Sequence, residues 1–251
     1  MNEYDEYDDS IMVLSGFVYE LFEREEIDDR LIDRWNGLRE QGEKEGFFPL
    51  LIHPDDILME ALTYESEDEI DEITPESIAA LREEILEEAK DIDAKAFLEE
   101  RLAEDEFEGR YEGIDIIGDF SDGDHTEAFP GYTDIIESAS GLHIAKIPAN
   151  HPWELAAWIP MGGFNECPMP AEQVAVFKYW HEKYGAMPIV VSSDNWVFMV
   201  SDPPLTDEGA EALAEEQFAF CKDIVFQSDC DTIRGLASKL KGATTWFFWW
   251  D

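Results

Sequence analysis

The sequence predicts an α/β fold: a mixed sheet covered by helices on both faces, with an acidic, mainly helical N-terminal part that carries a candidate related helix-strand unit. Three observations predict it. Helical periodicity gives way to short aliphatic runs of strand length at Leu50-Leu51-Ile52 and Ile189-Val190-Val191. Each run follows a glycine that stops a helix and a proline that favours extended chain. The closing run TTWFFWW is apolar on both faces, which suits an interior strand with layers above and below.

Taken in order, residues 11–25 (IMVLSGFVYELFERE) and 27–45 read as helices, the second carrying Ile27, Leu31, Trp35 and Leu38 on one face. Gly46 ends that helix, and Pro49 opens the strand at 50–52. Residues 74–108 read as helix, with Thr74 as N-cap, Pro75 at the first helical position, and a stripe of Ile78, Leu81, Ile85, Ala89 and Ile92. Residues 109–141, rich in Gly, Asp and Ser, read as irregular with one short strand near 114–117. Strands follow at 142–147 and 153–159, then a helix at 171–184, strands at 188–192 and 196–200, helices at 206–222 and 232–241, and the strand 245–250. In that last strand Phe247 and Trp249 face one side, and Trp246, Phe248 and Trp250 the other.

Gly46 and Gly185, Pro49 and Pro188, and Asp55 and Asp194 stand at a common offset of 139 residues. Duplication of a helix-strand unit explains this, and so does the shared punctuation of any helix-to-strand connection. The expected organisation is an acidic region at 1–145 and a C-terminal α/β domain at 146–251 that folds independently.

Charge narrows the choice of partner. The net charge is -43, and residues 1–145 hold 45 acidic against 10 basic side chains, a balance of -35. A nucleic-acid site needs a basic patch, so direct nucleic-acid binding is disfavoured and a basic protein partner is expected. The candidate partner face is Glu83, Glu84, Glu87 and Glu88, opposite the apolar stripe, where Glu83/Glu87 and Glu84/Glu88 are like charges at i,i+4. The first ten residues are acidic where a secretory signal is basic and then apolar, and no apolar run reaches the roughly eighteen residues of a membrane helix. The expectation is a soluble cytoplasmic protein without a membrane partner.

Chemical motifs are sparse. His53, His125, His143, His151 and His181 are dispersed, without metal-ligand spacing, and no phosphate-binding or nucleophile-elbow motif occurs, so neither metal nor cofactor is expected. DFSDGDHTE at 119–127 has the composition of a calcium loop, with carboxylates in the wrong positions. Cys167, Cys221 and Cys230 are odd in number and lack C-x-x-C spacing, which predicts reduced thiols. One stretch, GGFNECPMP at 162–170, joins a strand to a helix. There Cys167 is a candidate thiolate nucleophile, accessible and more acidic than the other two thiols, with His151 as its base, Asn165 as the orienting group and Glu166 as a further candidate beside them. Equally, the glycines supply backbone freedom, Asn165 and Glu166 cap the helix, and Cys167 packs.

The stretches PWE (152–154), GGFNECP (162–168), Cys221 with Asp223-Ile224-Val225 and Gln227, and the terminal Trp249-Trp250-Asp251 closely resemble the bacterial domain-of-unknown-function family 4253 across residues 146–251. Lys222 and Ser228 depart from the Pro and Gly that the family often has there, which predicts a looser turn. The resemblance implies a fold and a relationship, and brings no activity, cofactor or catalytic residue. Two functions therefore compete: a non-catalytic acidic interaction protein of the inhibitor, immunity or nucleic-acid-mimic kind, and an enzyme or small-ligand binder using the loop from Gly162 to Pro168.

Overall fold

The computed structural model of the protein describes residues 10–23, 29–53, 58, 74–107, 113–121 and 141–251. A six-stranded sheet organises them, in the order β1-β3-β2-β4-β5-β6, where β1 is Val18–Glu23, β2 Phe48–Ile52, β3 Gly141–Ile147, β4 Ala186–Val191, β5 Asn195–Val200 and β6 Thr245–Trp249. Only β2 and β4 pair parallel, with Leu51 beside Val190 and Ile52 beside Val191; the other neighbours are antiparallel.

Helices cover both faces unequally. On one face lies α2 (Asp29–Glu45), which buries Leu31, Trp35 and Leu38 against Leu51, Ile144 and Val190. The opposite face carries most of the other helices. These include α1 (Ser10–Ser15), α3 (Pro75–Glu88), α4 (Ala94–Phe107), a short α5 (Leu155–Trp158), α6 (Pro170–Tyr184), α7 (Asp207–Phe220), α8 (Asp223–Phe226) and α9 (Ile233–Leu240). Thr74 caps α3 through a reciprocal hydrogen-bond pair with Ser77, as the sequence predicts, and Pro75 opens it. An aromatic wall lines this face: Trp180 stacks on Phe248 at 5.3 Å, and Phe198 and Phe220 meet Phe248 edge-on at 5.6 and 5.2 Å.

Several expectations are corrected. The helix expected at 11–25 stops at Ser15: Gly16 takes a left-handed φ of 69°, and the chain turns into β1, which pairs with β3 over six positions. Local periodicity loses there to an unpaired sheet edge. The strand expected at 153–159 is a 3-10 turn at Pro152–Glu154 followed by α5, with Pro152 at the first helical position and Leu155, Ala156 and Ala157 buried. Residues 114–117 form no strand; the carbonyls of Ile116 and Ile117 accept from Ile233 and Arg234 at the start of α9. The single helix expected at 74–108 breaks at Ile92, between α3 and α4.

The strand β6 is not interior but the sheet edge, paired with β5 alone. Its two apolar faces have a different cause: Trp246 and Phe248 are fully buried under helices, while Phe247 and Trp249 are half-buried on the α2 side. The C-terminal domain expected to fold independently at 146–251 shares its sheet with the acidic part, since the partners of β3, β1 and β2, lie before residue 141. The two helix-Gly-Pro-strand units lie side by side through β2 and β4, in a register equal to their sequence offset. Their helices go to opposite faces, α2 with one cluster and α6 with the other. Residues 122–127 of the calcium-like loop, with His125, lie outside the described residues.

Two outcomes are expected. Phe248→Asp buries an uncompensated carboxylate despite the edge position and should cost about 3–5 kcal/mol, whereas Leu205→Asp, at a residue 75% exposed, should stay within about 0.5 kcal/mol. Denaturant titration by circular dichroism measures both, and equal midpoints would refute the placement of Phe248. A fragment of residues 141–251 should lose the cooperative transition of the full chain, since β3 has no partner in it; an unchanged melt would show that the sheet does not need β1 and β2.

Candidate functional site

The loop from Gly162 to Pro168 is shaped by a buried amide. Gln173, on the first turns of α6, is fully buried; its Nε2 donates to the carbonyls of Met161 (2.5 Å) and Pro168 (2.8 Å), and its Oε1 accepts from Trp196 Nε1 (2.8 Å). Gly162, with φ of 142°, makes this approach possible: a Cβ there would stand 2.3 Å from the Pro168 oxygen and 2.5 Å from Gln173 Nε2. The tip is a tight turn closed by Cys167 N–H donating to the Phe164 carbonyl at 2.6 Å. Both central residues, Asn165 and Glu166, have left-handed φ values of 44° and 61°. This is the φ signature of a type I′ turn; Asn accepts it readily, and a glutamate there is strained by on the order of 1–2 kcal/mol.

Contacts from distant parts of the chain hold that strained residue. Lys222 Nζ meets Glu166 Oε2 at 2.6 Å, and Arg101 of α4 donates to the Glu166 carbonyl and the Ala219 carbonyl, both at 2.7 Å. Lys222 is one of the two residues that depart from the family pattern, and its departure supplies a cation to the loop. Ser228 receives the Cys230 N–H and donates to the Ile224 carbonyl at 2.7 Å.

Cys167 is 5% exposed, and the thiolate reading is corrected with it. Its Sγ lies 3.7 Å from Met161 Sδ and 3.6 Å from Gln173 Nε2. Burial pushes the thiol well above its usual range, the nearby Cys221 adds to the effect, and Arg101 opposes it in part. Desolvation therefore outweighs any field from the start of α6. Cys221 and Cys230 are buried too, and burial pushes Cys221 up to about 12. His151 is exposed and stacks on Trp153 at 4.2 Å, and it is not among the groups that meet Cys167 Sγ.

What the loop does present is Asn165 and Glu166, both exposed, on the wall of a cleft of about 570 Å³. Lys222, Asp223, Phe226, Trp250, Asp251 and Ile114 complete the wall, so three stretches that carry the family resemblance converge there. Asp223 accepts from Gln227 Nε2 (3.0 Å) and from the Asp251 N–H (3.1 Å). Sequence reasoning passed over Gln173, Arg101, Asp223 and Trp250. Asp223 and Trp250 stand in the quoted stretches, which was the available signal; nothing local marks Gln173 or Arg101.

On the other side of the loop, α3 meets the start of α6 in a groove of about 320 Å³. Glu84, Glu88 and Glu172 border it over a floor that includes Leu81, Ile85 and Met169, the last 44% exposed. All four candidate partner residues are exposed; Glu84 and Glu88 face the groove, while Glu83 and Glu87 stand outside it. Their repulsion is relieved at one point, because Lys90 pairs with Glu87. Arg82 turns away onto Trp158, its guanidinium 3.7 Å from the ring centroid. Among the described residues, no group of three or more His, Cys, Asp or Glu side chains is arranged to hold a metal ion.

Buried thiols give a pH signature. A Cys221 thiol that titrates at 9.0 when unfolded and near 12 when folded contributes stability in full below pH 9 and loses it as pH rises towards 12, because above 9 the unfolded chain sheds its proton first. Stability should therefore fall across that window, and Cys221→Ala should flatten the fall. In the native protein at pH 8, iodoacetamide should label Cys167 no faster than the chain unfolds. Rapid labelling of folded protein would restore the nucleophile reading.

No curated protein and no solved structure matches the chain. A family model does, from the middle of the sheet to the last residue, and it takes in the loop, α6 and the whole wall of the cleft except Ile114. Over residues 143–251 the chain matches the model of the family described as Domain of unknown function (DUF4253).

Proposed function

We propose that the chain is a non-catalytic interaction protein, of the inhibitor, immunity or nucleic-acid-mimic kind, that binds a basic protein partner. One observation supports the reading: two depressions are lined by carboxylates, Glu84, Glu88 and Glu172 in the groove between α3 and α6, and Glu166, Asp223 and Asp251 in the cleft beside the loop. Among the described residues of both walls Lys222 is the one cation, and it is paired with Glu166. Carboxylates over an apolar floor suit a basic segment that also carries an apolar anchor: long-range attraction sets the encounter rate, and burial on Leu81, Ile85 and Met169 adds residence time. Burial of Cys167 favours this reading over an enzyme that uses its thiol. The cleft beside Asn165 keeps the small-ligand form of that alternative open, at the same loop.

The test replaces Glu83, Glu84, Glu87 and Glu88 together by glutamine, which preserves size and helix propensity. Like charges at i,i+4 cost about 0.2–0.5 kcal/mol per pair, so the variant should be at least as stable as the parent once the Glu87–Lys90 pair is discounted. Parent and variant are immobilised, and the proteins each retains from a cell lysate are identified across a salt series. The parent should retain a basic protein that salt releases, because exposed charges act over only about 8 Å at physiological ionic strength. The variant should retain less of it, with a shallower salt dependence. Equal retention and equal salt release by the two proteins would show this face to be plain solvated surface.

A further inference from the structure

The cleft beside the loop presents more than its carboxylates. Asn165 is exposed at the loop tip on its lining, and the side-chain amide is bonded to no other described residue. Phe226, another lining residue, is 43% exposed, and Phe218 fixes its ring edge-on at 5.5 Å. Ile114, also exposed, adds apolar surface beside it. The cleft thus combines an uncommitted amide with a presented aromatic ring, in a volume of about 570 Å³ that falls within the roughly 300–1,000 Å³ of small-ligand sites.

The polar groups of the lining are already held in place. Asp223 is fixed by Gln227 and the Asp251 N–H, Glu166 by Lys222, and the Asn165 backbone by the turn that Arg101 braces. Groups fixed in this way lose little rotamer freedom when a ligand binds. Their chemistry is mixed, since the carboxylates accept, Lys222 donates and the Asn165 amide does both. An anion would be repelled by Glu166, Asp223 and Asp251; a cation would meet Lys222 and offer no acceptor to the amide. A hydroxyl donates, accepts and carries no charge.

We propose that this cleft binds a neutral sugar, a mono- or disaccharide whose hydroxyls bond the Asn165 amide and the carboxylates of Glu166 and Asp251 while the C–H face of one ring lies on Phe226. The face of an aromatic ring is electron-rich and the C–H groups of a sugar ring are weakly positive, so the two surfaces attract as well as exclude water. The net charge of -43 neither draws nor repels such a ligand, and its binding is insensitive to salt. The proposal gives a ligand class to the small-ligand alternative. It is independent of the basic-partner reading, whose test residues lie on α3.

The probes are glucose, galactose, mannose, N-acetylglucosamine, maltose and cellobiose, each offered to the full chain and followed by saturation-transfer NMR, with agmatine as a cationic counterpart. At least one sugar should receive saturation from the protein, with an affinity that is the same at about 0.05 and 0.5 M salt. Asn165→Gly keeps the left-handed turn and removes the amide, and Phe226→Ala removes the ring; each should weaken that sugar at least about ten-fold, with circular dichroism confirming the fold. Replacing Glu83, Glu84, Glu87 and Glu88 by glutamine should leave sugar binding unchanged, which separates this test from that of the basic partner. Saturation of none of the sugars at about 10 mM overturns the site. Sugar binding that survives both cleft variants lies elsewhere and overturns it too, and agmatine binding more tightly than every sugar, with a steep salt dependence, overturns the neutral assignment.

Discussion

The parallel pairing of β2 with β4 is the joint on which the rest of the structure depends. It is short, Leu51 beside Val190 and Ile52 beside Val191, with His53 N–H continuing it to the Val191 carbonyl at 2.9 Å. Everything before residue 141 that belongs to the sheet reaches the remainder through it or through β3, and β3 itself pairs only with β1 and β2. Removing the joint would bare the backbone of two central strands, whose polar groups have no other partners. The acidic part and the part that resembles a known family are therefore halves of one sheet, and the boundary seen in composition is not a boundary in hydrogen bonding.

Below the sheet, Gln173 is to the loop what the joint is to the strands. Its amide meets acceptors at residues 161 and 168 and a donor at 196, so both ends of the loop are fixed to β5 through one side chain. Only then can Asn165 and Glu166 be held left-handed at the tip, since such strain persists only where surroundings over-determine it. Arg101 and Lys222 complete that restraint from α4 and from the turn after α7. A polar side chain buried in this way specifies one loop conformation more strongly than apolar packing would.

Legibility in the sequence followed the range of the interactions. Elements set by local chemistry were readable: the Thr74 cap, the Gly185 stop at the end of α6, and the aliphatic strands β2 and β4. Elements set by distant partners were misread. β1 carries helical spacing and is a strand because β3 offers it an edge; Trp153 to Ile159 looks extended and coils because Pro152 opens a helical turn. The apolar faces of β6 suggested a central strand, yet burial by helices across the face of a sheet and pairing within it are independent, and sequence pattern reports only the first. At the site, the loop was visible from its glycines, while the depth of Cys167 was not, because desolvation depends on what α6 and α7 place over it.

The distribution of cations explains why one face is left acidic. In the second half Lys183, Lys222, Arg234, Lys239 and Lys241 each meet a carboxylate, and the pairs of Arg234 with Glu211 and Lys241 with Asp207 tie α9 and its end to α7. Individually such pairs add little at a surface, about 0–1 kcal/mol each, but they neutralise charge where helices must pack closely. On α3 the nearest cations go elsewhere: Lys90 reaches Glu87, and Arg82 lies on Trp158, leaving Glu84 and Glu88 over the groove without a basic neighbour on its wall. Folding alone would gain from a lysine at either position, because like charges at i,i+4 oppose the helix. The groove between α3 and α6 therefore keeps Glu84 and Glu88 unneutralised above Leu81, Ile85 and Met169.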